Sequence, residues 1–191
     1  MPQPAKAPLI PSYFSISNLS YFVDRGSVRA AGFKRTSSNK YDNIKGRIAE
    51  SLVKELFLVS DYNVFHYGME YAVPQIMQEL NHSSVAEQIR RMPDFVVQDK
   101  KTKDVHFVEV KYRSSGKFMY SDLPENYPYL DALIVVMSKK HIKCLSVTEL
   151  REGKLITPVC KNYLGYRNEF KLKKTIIIEF CNLANRLFES I

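Results

Sequence analysis

The sequence predicts an α/β fold in which helices flank a mixed central β-sheet, and two patterns of apolar residues support this. Residues 41–59 carry apolar side chains at the four-residue spacing of a helix face, namely Ile44, Ile48, Leu52 and Leu56. Short apolar runs of strand length follow at residues 94–98, 105–112 and 131–138. Helices that enclose a series of strands in this order are typical of a sheet covered by helices.

The first half of the predicted domain alternates between helix and strand. The first helix is expected to begin at Asp42 or Asn43, because either side chain can act as its N-cap. Residues 63–69 are a predicted strand. Residues 73–90 are a predicted helix with Pro74 in its first turn, where the missing N–H of proline costs nothing.

The middle of the chain contains the predicted sheet. Strands at residues 94–98 and 105–112 are separated by the polar residues 99–104, which predicts a hairpin. Residues 131–138 contain a continuous apolar run, which is typical of a strand buried on both faces. A further strand is predicted at residues 141–147.

The C-terminal third is less regular. Residues 118–129 are rich in proline and asparagine and predict no regular element. The tail from Lys174 predicts an amphipathic helix, although residues 175–178 also fit a short strand. The side chains expected on the buried face of the helix are Ile177, Phe180, Ala184, Leu187 and Phe188.

The chain divides into an extension at residues 1–40 and a domain at residues 41–191. Four prolines among the first eleven residues oppose regular structure in the extension. The three cysteines, Cys144, Cys160 and Cys181, are far apart and form no metal-binding pattern. We therefore expect reduced thiols, with neither a zinc site nor a disulfide.

Net charge and apolar content limit the classes of partner that we expect for this protein. No run approaches the roughly 18 apolar residues of a membrane span, and the proline-broken N-terminus is unlike a secretory signal. We therefore expect a cytoplasmic protein without a membrane partner. The net charge is +8, and residues 1–47 hold 8 Lys or Arg against 2 Asp. This basic excess favours a polyanionic partner.

Two short motifs carry the candidate chemistry. Asp94 follows Pro93 at the start of one predicted strand, and Glu109 and Lys111 lie near the end of the next. Mg²⁺ prefers oxygen ligands, so the two carboxylates with the backbone carbonyl of Val110 can hold one. Glu109 and Lys111 are two residues apart and project from the same strand face. A metal-activated water can then attack a phosphodiester beside the lysine.

Each of these residues also has a structural interpretation. An isolated Glu-x-Lys pair on a strand is more often a salt bridge on a solvated face. Glu50 lies within the apolar segment of the first helix, where an unpaired carboxylate is costly to bury. It can instead mark the polar boundary of an amphipathic helix.

Taken together, the segment from Gly46 to Glu50, Pro93-Asp94 and Glu109-Val110-Lys111 resemble the PD-(D/E)xK nuclease superfamily, which includes restriction endonucleases and archaeal Holliday-junction resolvases. The resemblance spans roughly residues 41–148. It implies a restriction-endonuclease-like α/β core and a Mg²⁺-dependent deoxyribonuclease, in which Mn²⁺ can substitute. Asp94 and Glu109 would be metal ligands, Lys111 the catalytic lysine and Glu50 an acid that assists the metal site.

The motifs also favour one branch of that superfamily. The Gly-x-x-x-Glu opening of the first helix looks most like the junction-resolvase branch. The Gln-x-x-x-Tyr motif that RecB-like exonucleases carry after the lysine is not visible in the sequence. An endonuclease, structure-specific or junction-resolving, is therefore expected.

Several basic residues are candidates for contact with DNA, although ordinary solvated charge explains each of them nearly as well. They are Lys34, Arg35, Arg91, Arg113 and Lys117. Other lysines, such as the adjacent pair at residues 139–140, are expected to be surface charge. A homodimer would supply two sites for two strands. The alternative is a catalytically inactive DNA-binding module of nuclease fold within a larger complex.

Overall fold

The computed structural model describes residues 37–67, 88–89 and 91–190, with side chains from residue 41. Two single 3₁₀ turns lie at Tyr120–Asp122 and Leu164–Tyr166. The helices and strands in chain order are α1 (Ser37–Val59), β1 (Tyr62–His66), β2 (Phe95–Asp99), β3 (Val105–Tyr112), β4 (Leu133–Met137), β5 (Ile142–Ser146), α2 (Val147–Arg151) and α3 (Lys174–Glu189).

The strands form one five-stranded mixed sheet in the order β1-β2-β3-β4-β5. Neighbouring strands are antiparallel except β3 and β4, which are parallel. The predicted α/β class with a mixed sheet and flanking helices is confirmed. None of the described helices is long and apolar enough to cross a membrane.

The sheet separates two apolar cores. On the first face, α1 and α3 pack against alternate residues of β3, namely Val108, Val110 and Tyr112. On the second face, α2 and the irregular segment 118–132 cover Ile134 and Val136 of β4, with Phe107 of β3 packed beside them. Because strand side chains alternate, Glu109 and Lys111 belong to this second face.

Helix α1 begins at Ser37, so the prediction that Asp42 or Asn43 caps it is wrong. Neither Gly nor Pro occurs between Ser37 and Lys45, and nothing in the sequence interrupts the helix at Asp42. Two good capping residues therefore lie inside the second turn rather than at the start.

The strand prediction is correct for most of the sheet. Strand β1 begins one residue earlier than predicted and ends at His66, and residues 68–69 lie outside the described residues. The hairpin between β2 and β3 is confirmed, as are β4 with every residue buried and β5. The predicted helix at 73–90 lies outside the described residues except for 88–89, which are helical.

The C-terminal tail is helical, so the alternative strand at residues 175–178 is wrong. Ile177, Phe180, Ala184 and Phe188 of α3 are buried, whereas Ile178 is exposed. This spacing of three and four residues suits a helix laid on the sheet. All three cysteines are free thiols, as predicted, with Cys144 buried.

Candidate active site

The two predicted motifs meet at one end of the β2–β3 hairpin. Phe95 of β2 pairs with Val108 of β3, so Asp94 lies opposite Glu109, one step further along. Lys111 projects from the same face as Glu109 because the two are separated by one residue. Glu109 is buried with 8% of its surface exposed, and Lys111 is half-buried.

Three hydrogen bonds join these residues. The N–H of Val110 donates to Asp94 Oδ2 over 2.7 Å. The N–H of Asp94 donates to Glu109 Oε2 over 3.2 Å. The ammonium of Lys111 donates to Glu109 Oε1 and forms an ion pair with it. The two carboxylates are therefore held at defined positions relative to each other and to the lysine.

Pro93 interrupts the backbone ladder between β2 and β3 at this point. The register places Pro93 opposite Val110, and proline has no N–H to donate to the carbonyl of Val110. The N–H of Val110 donates to the Asp94 carboxylate. Because the N–H and C=O of one strand residue point to the same side, the carbonyl of Val110 also faces Asp94.

The electrostatics show an excess of negative charge. Burial and the charges of Glu109 and Glu50 raise the pKa of Asp94 well above its usual range, against the opposing effects of Lys111 and the Val110 N–H. Burial lowers the pKa of Lys111, but the charges of Glu109, Asp94 and Glu50 outweigh it and raise that pKa. When both are ionised, Asp94 and Glu109 together carry one negative charge more than Lys111 balances, and the charge of Glu50 adds to their effect.

The site suits a divalent cation by ligand type. Asp94 and Glu109 supply carboxylate oxygens and Val110 supplies a carbonyl oxygen, and these are the ligands that Mg²⁺ and Mn²⁺ prefer. Asp94 Oδ1 accepts no hydrogen bond from the described residues. Among those same residues, no group of three His, Cys, Asp or Glu side chains is already arranged as a metal site. Glu50 on α1 acts on Asp94 through its charge, and its role as a ligand stays a prediction.

Tyr127 is a site residue that the sequence did not indicate. It is 4% exposed, and its hydroxyl has no hydrogen-bond partner in the described part of the chain. Burial raises the pKa of Tyr127, and the charges of Glu109 and Asp94 raise it further. The phenol therefore lies within electrostatic reach of both carboxylates. It comes from the irregular segment 118–132, whose sequence has no period that would place it there.

Arg91 helps to hold that segment over the sheet. Its guanidinium donates to the carbonyl of Glu125 over 2.5 Å and to that of Asn126 over 3.2 Å. Asn126 has a φ of 54°, a left-handed conformation that asparagine tolerates better than most residues. Arg91 thus has a structural role in addition to the predicted contact with DNA.

The other predicted DNA-binding residues are only partly described. Arg113 follows Lys111 on the same strand face and lies over the ring of Phe118, 5.4 Å from its centroid. Lys117 is exposed. Lys34 and Arg35 lie outside the described residues.

Comparison with protein-family models, with curated proteins and with solved structures finds no match to this chain. The resemblance to the nuclease superfamily therefore depends on the residues and on the arrangement described above.

Proposed function

We propose that this protein is a divalent-metal-dependent nuclease that hydrolyses DNA phosphodiester bonds. The observation that carries the proposal is the convergence of Asp94, Glu109 and Lys111 on one sheet face, joined by hydrogen bonds and carrying an excess of negative charge. An ordinary surface salt bridge is exposed to solvent and pairs one positive with one negative charge, so it leaves no such excess of negative charge.

Each residue has a defined part in the proposed reaction. Asp94, Glu109 and the carbonyl of Val110 would hold Mg²⁺ or Mn²⁺, with Glu50 in support. When bound, the ion would lower the pKa of a water and screen the phosphate oxygens. Lys111 keeps its proton, because the surrounding carboxylates raise its pKa. Its ammonium would orient the attacking water and stabilise the negative charge that develops on the phosphate.

The architecture supports an endonuclease with a restriction-endonuclease-like core, structure-specific or junction-resolving. The supporting features are the helix acid Glu50 ahead of the β2–β3 hairpin and the mixed sheet that follows. A homodimer with two sites related by a two-fold axis would suit cutting of both strands.

The decisive experiment is incubation of the protein with Mg²⁺ or Mn²⁺ and a panel of linear, circular, single-stranded and branched DNAs. Asp94→Asn, Glu109→Gln and Lys111→Met should each lower cleavage by about a hundredfold or more. Asp104→Asn and Lys101→Met are matched controls, because both side chains are exposed in the β2–β3 hairpin at the opposite end of these strands. Equal cleavage by the site variants and the controls would exclude the proposal.

The alternative is a DNA-binding module of nuclease fold without activity, within a larger complex. That alternative predicts salt-sensitive DNA binding with no cleavage of any substrate in the panel, at any concentration of Mg²⁺ or Mn²⁺.

A further inference from the structure

A pocket lined by several lysines and serines lies on the sheet beside the candidate active site. Strands β3 and β4 are parallel, so the loops that follow them leave from the same edge of the sheet. The loop after β3 and the hairpin between β4 and β5 line an open cavity of about 280 Å³. The polar residues of these loops that line it are Ser114, Ser115, Ser138, Lys139, Lys140 and His141.

Gly116 forms the turn of the first loop beside the second. It has a φ of 64°, which glycine adopts without strain. A Cβ built on it would be in ordinary van der Waals contact, 3.6 Å from Pro158 Cγ and 3.8 Å from Ser138 Cβ. The positive φ, rather than lack of space, therefore favours glycine at this turn.

Lys143 of β5 lines the pocket and gives it a fixed positive charge. It is only 3% exposed. Its ammonium donates to the carbonyls of Thr157 over 2.6 Å, Pro158 over 2.8 Å and Cys160 over 2.8 Å. Carbonyl oxygens satisfy the donors without neutralising the charge, and no carboxylate of the described residues pairs with this lysine.

The lining matches the chemistry of a phosphate group. None of the described residues that line the pocket is acidic, and three lysines and three serines line it. The ammonium of Lys143 is already bonded to carbonyls and the Ser138 hydroxyl donates to the carbonyl of His141, so the donors left for a ligand belong to the exposed Lys139 and Lys140 and to the exposed serines that follow β3. Burial and the positive charges of Lys143 and Lys140 lower the pKa of His141. Multiple donors and concentrated positive charge favour an anion that accepts several hydrogen bonds.

The pocket lies close to Lys111 on the same sheet face. Val136 lines the pocket and pairs with Lys111 in the β3–β4 ladder, and neighbouring strands are about 4.8 Å apart. Ser114 is three residues beyond Lys111, a path of about 10 Å along an extended strand. These distances equal about one to three axial rises of duplex DNA, which are about 3.4 Å each, so the pocket is within a few nucleotides' reach of Lys111.

We infer that this pocket binds a phosphate group of the DNA strand, one to three nucleotides from the phosphodiester that is cut. The inference rests on the proposed function. It defines the path of the strand, from the carboxylates across Lys111 towards the β4–β5 hairpin. The phosphate is either internal or the terminal phosphate of a strand, and these two sources make different predictions about substrate length and ends.

The first test measures binding without any cleavage. Inorganic phosphate is titrated into the ¹⁵N-labelled full chain, and backbone amide shifts are followed by NMR. We expect saturable shifts confined to residues 114–116 and 138–141, and their loss in the double variant Lys139→Glu/Lys140→Glu. The matched control is Lys100→Glu/Lys101→Glu, an adjacent exposed pair in the β2–β3 hairpin. No saturable shift, or an equal loss in both double variants, overturns the inference.

The second test uses cleavage of oligonucleotides in which one phosphate at a time is a neutral methylphosphonate. Lys139→Glu/Lys140→Glu should raise KM by about tenfold and lower kcat much less. A methylphosphonate one to three nucleotides from the cut should raise KM for the parent protein but add nothing in this variant. The hairpin control variant should respond to the methylphosphonate as the parent does.

These results separate the two possible phosphates and the two levels of the proposal. If removal of the 5′-terminal phosphate reproduces the rise in KM, the terminal phosphate is the ligand; otherwise it is an internal one. If no DNA is cut, the proposed function fails and the phosphate titration still decides whether the pocket binds phosphate. If DNA is cut but the KM of the double variant equals that of the hairpin control, only the pocket assignment fails.

Discussion

The three charged residues of the candidate site have different roles. Asp94 accepts a hydrogen bond from the N–H of Val110 on β3, and its pKa is raised well above the usual range by burial and by the charges of Glu109 and Glu50. Glu109 bridges the Asp94 N–H and the Lys111 ammonium. Lys111 stays protonated because its carboxylate neighbours outweigh its burial. Their combined geometry, more than any one residue, supports hydrolysis of a phosphodiester.

The hydroxyl of Tyr127 allows a test at the scale of a single residue. Its buried hydroxyl has no hydrogen-bond partner among the described residues, so Tyr127→Phe should change the free energy of unfolding by less than about 1 kcal/mol. If the hydroxyl donates to a bound water or to the substrate, cleavage should fall by about tenfold. Urea unfolding and kcat measure the two effects.

A suitable control for this substitution is Tyr166→Phe, because that tyrosine is 67% exposed on a 3₁₀ turn. It should leave both unfolding and cleavage unchanged. A clear loss of stability in Tyr127→Phe would mean that the hydroxyl is bonded in the folded protein and would contradict its assignment to the site.

At the scale of the elements, short connections position the functional loops. Helix α2 has only five residues and follows directly after β5. Its N-terminal hydrogen bonds fix the end of that strand. Ser146 accepts a hydrogen bond from the N–H of Glu149, and Glu149 accepts one from the N–H of Ser146. Arg167 donates to Glu149 over 2.6 Å and also pairs with Glu169. This network ties the C-terminal region to the sheet.

That network predicts a pH-dependent stability. Burial raises the pKa of Glu149, but hydrogen bonds from Ser146, Lys154 and Arg167 outweigh it and lower the pKa to about 2, against 4.5 as its ordinary value. A carboxyl group with a lowered pKa stabilises the folded state at pH values above its ordinary pKa. This stabilisation is lost as the pH falls towards about 2. The parent protein should therefore lose stability between about pH 5 and pH 2.

The variant Glu149→Gln isolates this effect. It should lower the free energy of unfolding at pH 7 by about 2 kcal/mol and flatten the fall in stability at acidic pH. Urea unfolding at pH 7, 5 and 3 provides the measurement. Glu152→Gln, an exposed residue next to the same helix, should unfold as the parent does at every pH. Parallel curves for parent and Glu149→Gln would refute the assignment.

For the molecule as a whole, the net charge of +8 and the negative site would have opposite effects on a DNA ligand. Under the proposed function, the carboxylates without metal would repel the phosphate that the net positive charge attracts. Asp94→Asn removes one negative charge at the site and should therefore bind DNA at least as tightly as the parent, while it fails to cut. Binding should weaken steeply as salt rises.

The affinity for DNA and its dependence on salt can be measured by fluorescence anisotropy. The titrations use labelled DNA in the absence of divalent ions, across a range of salt concentrations. Asp104→Asn removes the same charge at the far end of β3 and shows how much of any gain comes from net charge alone. Weaker binding by Asp94→Asn than by Asp104→Asn would mean that the Asp94 carboxylate holds the binding surface together rather than repelling phosphate.

Much of the fold was predictable because it depends on local periodicity. The spacing of apolar residues in α1 and α3 and the runs in β2, β3 and β4 are determined by which faces must be buried. The start of α1 was not predictable, because Asp42 and Asn43 can cap a helix but do not require one to begin there. Locally, residues 175–178 suit a strand as well as a helix, and only packing on the first core decides for the helix.

The sequence by itself determined the α/β class, the hairpin and the pairing of an acid and a lysine on one strand face, since alternation along a strand needs no tertiary information. The tertiary structure alone placed Tyr127 near the carboxylates and assembled the pocket between the loop after β3 and the β4–β5 hairpin. Those contacts join segments from separate parts of the chain, and their proximity depends on strand register and on the parallel β3–β4 pairing, which no local pattern encodes.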